Sequence, residues 1–458
     1  MVYFLGLFSG FEKVGVVGYL VVLYILSTFV MSGFWVGRFV FFTFFLMGVG
    51  CFSLRAEAVP RSINDIVAFA LQYSAELSAL DNEAKAKKSL AVQAGTPSNP
   101  TLELEGSTGT LTGSPDTGGA SIGISQEFSL YGKLRLRRKA LEREAEAMVR
   151  KRDNAARLLK EEISTMLLDY LLSEQRYELA ADMVNLNREL AAIAGERFKA
   201  GDIPELELNI TKVELARAEN RLLEVDRARL ALRVNIASLT GLQEGDIVLS
   251  DKLSSAVPSP QTQDLVKKSL SLRPDYLALS VEREKAETEY RLARVEGLPN
   301  PTVGIFAQWQ KNSVEVGAMS AINRDRILGL RLSVPIPVFD SNNGGRSAAQ
   351  ALLDAADDRR KALERTIKAE VEAAIAGLSS ADRIVSLFDR GIIPQLTENL
   401  KLTQEAYRVG EVGILSVTDQ QKKFLEVHET YLSALHARRV AFIKLESVSA
   451  TNLQGGVQ

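Results

Sequence analysis

Asn99-Pro100-Thr101 opens one block of this chain and Asn300-Pro301-Thr302 opens another, and the same order of elements follows each triplet. Two alternating, strand-like runs come first, then a heptad-patterned segment of about 65 residues, then a glycine turn into a second long helix. The turns also correspond: Phe198-Lys199-Ala200-Gly201-Asp202 recurs as Tyr407-Arg408-Val409-Gly410-Glu411. A duplicated unit whose helices far exceed the usual three turns predicts an elongated conduit instead of a globule built around a pocket.

Outward from the triplets, the strands read as follows. Ile122, Ile124, Phe128 and Leu130 fall on one side of a run whose other side carries Gly123, Ser125, Glu127 and Ser129. This is the period of two expected of a half-buried strand. Thr101 to Thr108 alternates less sharply. In the second block Val303, Ile305, Ala307 and Trp309 alternate with small or polar residues. Leu328, Leu330, Leu332, Val334, Ile336 and Val338 alternate in turn with Gly329, Arg331 and Ser333. Each run is about ten residues, enough to cross a bilayer when tilted. Four strands cannot close a barrel, and an open edge in hydrocarbon leaves N–H and C=O groups unpaired at several kcal/mol each. Oligomerisation is therefore expected, with three copies supplying a barrel of about twelve strands. A soluble sandwich would fit the alternation but leave the helices unexplained.

Those helices carry the stronger pattern. Between about Lys133 and Lys199, Ile163, Tyr170, Tyr177, Val184, Ala191 and Phe198 recur every seven residues, with Leu134, Leu141, Met148 and Ala155 in an earlier register. Between about Asn343 and Val409, Val371, Leu378, Val385 and Ile392 do so beside Ile367, Ala374, Ala381 and Phe388. At 1.5 Å per residue each segment would reach about 100 Å. Pro394, preceded by Gly391, is expected to bend the second segment without ending its pattern. Gly201 and Gly410 sit where a long helix must reverse, a place that favours left-handed geometry. Returning helices are expected from Ile203 to Leu239 and from Ile414 to about Leu453. Shorter ones are expected from Leu265 to Leu270 and from Pro274 to Glu296. Ser62 would cap a first helix running to about Gln93. Pro335 and Pro337, alternating with apolar positions of the last run, require sites without ladder hydrogen bonds and mark the junction between the strand part and the helical part, with Tyr131-Gly132 as the matching bend of the first block.

Composition narrows the function. The chain has 458 residues with 55 Lys plus Arg against 57 Asp plus Glu, so no electrostatic footprint for nucleic acid exists. Cys51 is the only cysteine, which excludes an intrachain disulfide and a thiolate cluster; His428 and His436 stand eight apart, away from ligand spacing. No Walker loop, dinucleotide fingerprint, His-Glu-x-x-His or nucleophile elbow occurs, so neither enzyme activity nor a cofactor is expected.

Residues 1–58 read as a targeting segment. Arg38, the apolar run from Phe39 to Gly50 and the small residues Ala56 and Ala58 fit the three regions of a secretory signal, with cleavage after Ala58. Residues 1–30 exceed such a signal and point to an alternative start at Met31; the uncharged run from Val14 to Gly37 reads otherwise as a membrane anchor. Cys51, after Gly48-Val49-Gly50, is either a lipidation acceptor or a residue discarded with the leader. The rest divides into a first repeat (59–250), a linker (251–262), a second repeat (263–453) and a tail (454–458).

Read in order, several short motifs resemble the TolC family of outer-membrane efflux proteins, and within it the cobalt-zinc-cadmium resistance branch. They are Leu239-Thr240-Gly241-Leu242, Leu272-Arg273-Pro274-Asp275, Leu298-Pro299-Asn300-Pro301-Thr302, Val334-Pro335-Ile336-Pro337-Val338-Phe339-Asp340, and Ile393-Pro394-Gln395 leading to Ala406-Tyr407-Arg408-Val409-Gly410. The resemblance implies a mainly α chain with a small β part. Its strands would enter a shared twelve-stranded barrel of a homotrimer, and its coiled-coil helices would form a tapering α-barrel in the periplasm. It also implies an outer-membrane location among lipid, a periplasmic membrane-fusion adaptor, an inner-membrane pump of the RND type and metal cations as substrate. A duct for drugs or type I secretion is the alternative within this class, and a periplasmic coiled-coil scaffold anchored in the inner membrane the alternative outside it. On the same resemblance Gly201, Asp202, Gly410 and Glu411 form the adaptor-contact tips, while Glu207 and Asp419 match gate carboxylates. Ser416 stands where the family has a further acid. Both acids also suit the start of a helix, where the dipole favours negative charge.

Overall fold

A capping box opens the first helix, α1 (Ile63–Tyr73): the Ser62 hydroxyl accepts from the Asp65 amide at 3.2 Å and the Asp65 carboxylate accepts from the Ser62 amide at 3.1 Å. The computed structural model describes residues 61–253, 257–258, 264–316 and 319–453. The targeting segment with Cys51, most of the linker and the tail from residue 454 lie outside the described residues. The elements after α1 are α2 (Ala75–Ala94), β1 (Thr101–Thr108), β2 (Gly118–Glu127), α3 (Lys133–Lys199) and α4 (Glu205–Thr240). The second half holds α5 (Leu265–Leu272), α6 (Pro274–Glu296), β3 (Thr302–Val316), β4 (Met319–Ser333), α7 (Asn343–Leu387), α8 (Ile393–Val409) and α9 (Ile414–Ser449).

Several expectations are corrected. The single helix from Ser62 to Gln93 is two, because Ser74 adopts an extended conformation and its hydroxyl caps α2 through the Leu77 amide at 3.3 Å. The strands are not uniformly ten residues: β3 and β4 have 15 each. The strand expected over Ile122 to Leu130 begins at Gly118 and ends at Glu127, and the last strand stops at Ser333, leaving Val334 to Val338 outside it. Pro335 and Pro337 cannot donate to a ladder, which accounts for that stop.

The two long segments match in extent. α3 is one helix of 67 residues, and Asn343 to Val409 is covered by α7, a five-residue π turn at Phe388–Ile392 and α8. Pro394 has no N–H to offer and its ring would strike a carbonyl one turn back; the widened turn before it absorbs that clash. Both segments start after left-handed backbone, at Tyr131 (φ 59°) and Gly132 (φ 71°) in one half and at Asn342 (φ 60°) in the other.

All strands pair antiparallel in the order β1-β2-β3-β4, so the halves share one sheet through β2 and β3. The register sorts the side chains by face. Leu102, Ile124, Ile305 and Leu330 form one row across the four strands and Leu104, Ile122, Ala307 and Leu328 the next. On the opposite face Glu103, Gly123, Phe306 and Gly329 align, as do Glu105, Ser121, Gln308 and Ile327. The apolar face is bare: Leu328 is 84% and Leu330 81% exposed. On the polar face Arg331 of β4 reaches over the glycine rows to Glu103 of β1 at 2.6 Å, and Ser125 donates to the same carboxylate at 2.7 Å.

α3 lies at the centre of the helical part, packed against α1, α2, α4, α6 and α9. Its core partners include Ile66, Val67, Ile236, Leu253, Leu432 and Leu435. The second half adds a smaller cluster of Leu265, Ile367, Val371, Leu378, Phe442, Leu445 and Val448.

Candidate functional site

The helix reversals are the features the sequence marked for function, and both are built alike. Gly201 (φ 79°) and Gly410 (φ 85°) are left-handed, and the following residues close each turn: the Asp202 amide donates to the Arg197 carbonyl at 2.9 Å and the Glu411 amide to the Ala406 carbonyl at 2.8 Å. That is the Schellman pattern, which satisfies carbonyls the helix end leaves free. Asp202 and Glu411 stay exposed beyond the turns.

The two tips are fastened to each other. Leu190, Tyr407, Ile414 and Val417 form a buried cluster joining α3, α8 and α9. Arg197 crosses from α3, its Nη1 donating to the Tyr407 carbonyl at 3.1 Å while its guanidinium lies 5.3 Å from the Tyr407 ring centre. Arg408 pairs with Glu189 at 2.6 Å. Burial pushes the Tyr407 hydroxyl up, and the Glu207 charge adds to this against the opposing Arg197. Arg197 was not singled out by sequence; no periodicity distinguishes it from the other charged helix positions.

Of the two candidate carboxylates, Glu207 is half-buried in the first turn of α4, its Oε1 directed at Gly413 of the second tip. Asp419 is exposed on α9 and pairs with Lys423 at 2.7 Å. The structure thus brings Glu207 toward Tyr407 and gives Asp419 a cation of its own. The histidines lie apart from the tips: His428 is tilted against Phe424 and edge-on to Tyr431 on α9, and His436 Nε2 lies 2.8 Å from Asp169 Oδ1. Among the described residues no group of three or more His, Cys, Asp or Glu side chains could hold a metal ion.

Two buried cations fasten the helical part, Lys133 across the two halves and Arg273 within the second. Lys133, 3% exposed, spends its ammonium on the Leu298 carbonyl (2.6 Å), the Glu296 carbonyl (3.3 Å) and Asn300 Oδ1 (2.9 Å). The Asn of the second triplet is therefore held by the first residue of α3, and its amide donates to Glu127 of β2 at 2.7 Å. Arg273, also 3% exposed, binds Asp275 at 2.6 Å and Glu370 of α7. Burial pushes the Asp275 carboxyl up, but the hydrogen bonds and charge of Arg273, with Arg157 behind, outweigh it and hold the carboxyl below its usual range. The sequence signal was the Leu272-Arg273-Pro274-Asp275 motif, an Arg and an Asp flanking a helix-starting Pro; the acceptor Glu370 was not legible.

The family profile described as Outer membrane efflux protein matches residues 67–242 and 265–451. The cobalt-zinc-cadmium resistance protein CzcC of Cupriavidus metallidurans is 23% identical over 381 residues, covering 83% of this chain and 88% of that one. A crystal structure of CusC, from work on folding and transmembrane channel formation, superposes with a TM-score of 0.70 at 16% identity over 87% of this chain and 94% of the other. The outer membrane protein VceC of Vibrio cholerae does so with 0.67 at 15% identity, over 85% and 96%. The expected architecture, mainly helical with four strands in a duplicated unit, is the fold these structures share.

Proposed function

The chain belongs to the outer membrane efflux protein family, and from that premise we propose that it is the exit duct of a tripartite system, conducting metal cations passively from an inner-membrane pump to the exterior. It is an outer-membrane efflux channel, not an enzyme, with its helical part in the periplasm. The finer reading rests on one observation above all: a four-stranded sheet with an apolar face, a polar face and two unpaired edges. In hydrocarbon, the outward half of the backbone groups of the eight-residue edge strand β1 alone would cost about tens of kcal/mol. Sister copies remove that cost, and three of them supply the strands of a closed barrel whose polar face lines the pore. Likeness to CzcC favours metal cations over drugs or secreted protein as cargo.

In this proposal Gly201, Asp202, Gly410 and Glu411 meet a periplasmic adaptor. Its binding spreads the tips, and an RND-type pump supplies the energy. Glu207 and Asp419 line the closed end. Glu207 is the better placed of the two, because it already borders the contact between tips, whereas Asp419 must leave Lys423 to act. Export is tested directly: a deletion strain should become sensitive to cobalt, zinc or cadmium, the wild-type chain should restore resistance, and the purified protein should conduct ions in a planar bilayer without hydrolysing ATP. Unchanged metal tolerance with new drug sensitivity would replace the cargo; recovery of the protein in the inner-membrane fraction would overturn the duct.

A further inference from the structure

The second strand pair repeats the first so closely that the junction between halves serves as a template for the junction between copies. β2 meets β3 inside the chain, while β1 and β4 are edges. The triplets set Thr101 equivalent to Thr302, and the hairpin registers Thr101↔Ser125 and Thr302↔Ser333 make Ser125 equivalent to Ser333. Between the halves, Ser125 faces Gly304, Ile124 faces Ile305 and Gly123 faces Phe306. Resting on the trimeric reading above, we propose that β4 of one copy pairs with β1 of the next in the equivalent register. Leu332 then faces Leu104 of the neighbouring copy on the apolar side, and Arg331 faces Glu105 of the neighbouring copy on the polar side.

The chemistry agrees. Leu104 shares the apolar face with Leu332, and Glu105 the polar face with Arg331, so both faces continue unbroken across the junction. The helices repeat the message: α3 of the first half packs on α6 of the second, and the equivalent partner of α7, a copy of α2, is not supplied by its own chain.

Only even shifts of register preserve the faces, and two neighbours compete. Moving two residues one way sets Arg331 against Glu103, an equally good charge pair; moving two the other way sets it against Ser107. Strand tilt separates them. Stepping from Glu103 through Gly123, Phe306 and Gly329 to Ser107 of the neighbouring copy advances four residues per copy. With strands about 4.8 Å apart and a rise of about 3.3 Å, that stagger tilts a closed barrel by about 35°, within the observed range. The Glu103 register would give about 19°, outside it. The Ser107 register would give about 46° and sets no carboxylate of the neighbouring copy opposite Arg331.

Paired cysteines in the full-length protein, oxidised in its native membrane, test this. Opposed strand residues lie about 5 Å apart at Cα, within disulfide reach, and pairs displaced by two residues about 8 Å apart, beyond it. Leu332→Cys with Leu104→Cys should yield covalent dimers and trimers about tenfold more efficiently than Leu332→Cys with either Leu102→Cys or Gly106→Cys, each judged against its single-cysteine controls. A trimer that cross-links best through Leu102 or Gly106, or through none of the three, overturns the register and leaves the duct standing; a monomer overturns both. Charge exchange gives an independent reading without cysteine. Arg331→Glu should lower the fraction of SDS-resistant trimer and Glu105→Arg in the same chain should restore it. Failure of Glu105→Arg to restore it overturns the assignment, whereas Glu103→Arg re-forms the pair that Arg331 already makes within its own chain and serves as the intrachain control.

Discussion

α3 and the α7–α8 segment have the same length and the same heptad pattern, yet α3 buries eighteen of its residues and α7 with α8 buries seven. Pattern does not explain the difference; neighbours do. α3 is enclosed by helices of both halves, whereas α7 packs on α5, α6 and α9 and leaves Leu352, Ile384 and Leu387 exposed. On the trimeric reading proposed above, a duplicated chain that forms one step of a ring has one inner copy of each element and one outer copy. α7 buries Ile367, Val371 and Leu378 against its own chain but leaves Leu352, Ile384 and Leu387 uncovered.

The largest test of that comparison is a matched pair of truncations. Leu167→Ala, at a fully buried site on α3, should cost about 3 kcal/mol or more of folding stability. Leu352→Ala, 58% exposed on α7, should cost less than about 0.5 kcal/mol in the fold itself while reducing SDS-resistant trimer. Denaturant titration of detergent-solubilised protein measures the first and gel mobility the second; equal unfolding by both would erase the distinction.

Next in size is Arg273→Ala. It strips a buried guanidinium from Asp275 and Glu370, and so parts α6 from α7. A loss of about 3 kcal/mol is expected in thermal melts, with Lys a poor replacement because the two carboxylates are held by different edges of one planar group. The same site sets an acid limit. A carboxyl held below its unfolded value binds its proton later in the folded state, so its contribution is complete above about pH 4 and is lost as pH falls through the lower folded value. Glu144, lowered by hydrogen bonds from Lys87 and Lys285, acts in the same direction where α2, α3 and α6 meet. The melting temperature should therefore drop below about pH 4 more steeply in the wild type than in Asp275→Asn.

The tips sharpen the comparison at a smaller scale. Any side chain at Gly201 or Gly410 is strained by positive φ, but a Cβ at Gly201 enters open space whereas at Gly410 it comes within 3.3 Å of Arg197 Nη2. Alanine should cost about 1 kcal/mol at Gly201 and more at Gly410, read as faster amide exchange around Tyr407. Smallest is Tyr431→Phe, which deletes the 2.7 Å bond to Asp389 in the π turn. About 1 kcal/mol is expected, with local exchange at Phe388–Ile392 rising and α3, which has no such turn, unaffected.

Much of the fold was legible because its signals are local. The bounds of α3 follow from a glycine with left-handed backbone at each end and a heptad between them, and Gly201 and Gly410 mark their turns without help from elsewhere. β3 and β4 were read short because Lys311, Asn312, Asn323, Asp325 and Arg326 interrupt the alternation, although the ladder runs through them. The link from Arg197 to Tyr407 and the acceptors of Lys133 join residues 163 to 210 positions apart, and no spacing rule reaches that far.

The sequence by itself determined the duplication, legible by comparing the chain with itself, and the long helices, the reversals and the two-faced strands, which depend on a residue's own backbone preference or on neighbours within seven positions. Tertiary structure alone decided that Arg273 and Lys133 are buried and answered, and that one of two equal helices is enclosed while its twin stays open. Those outcomes depend on which surfaces meet in space, and the same side chain is a core residue or a bare one according to what lies across from it.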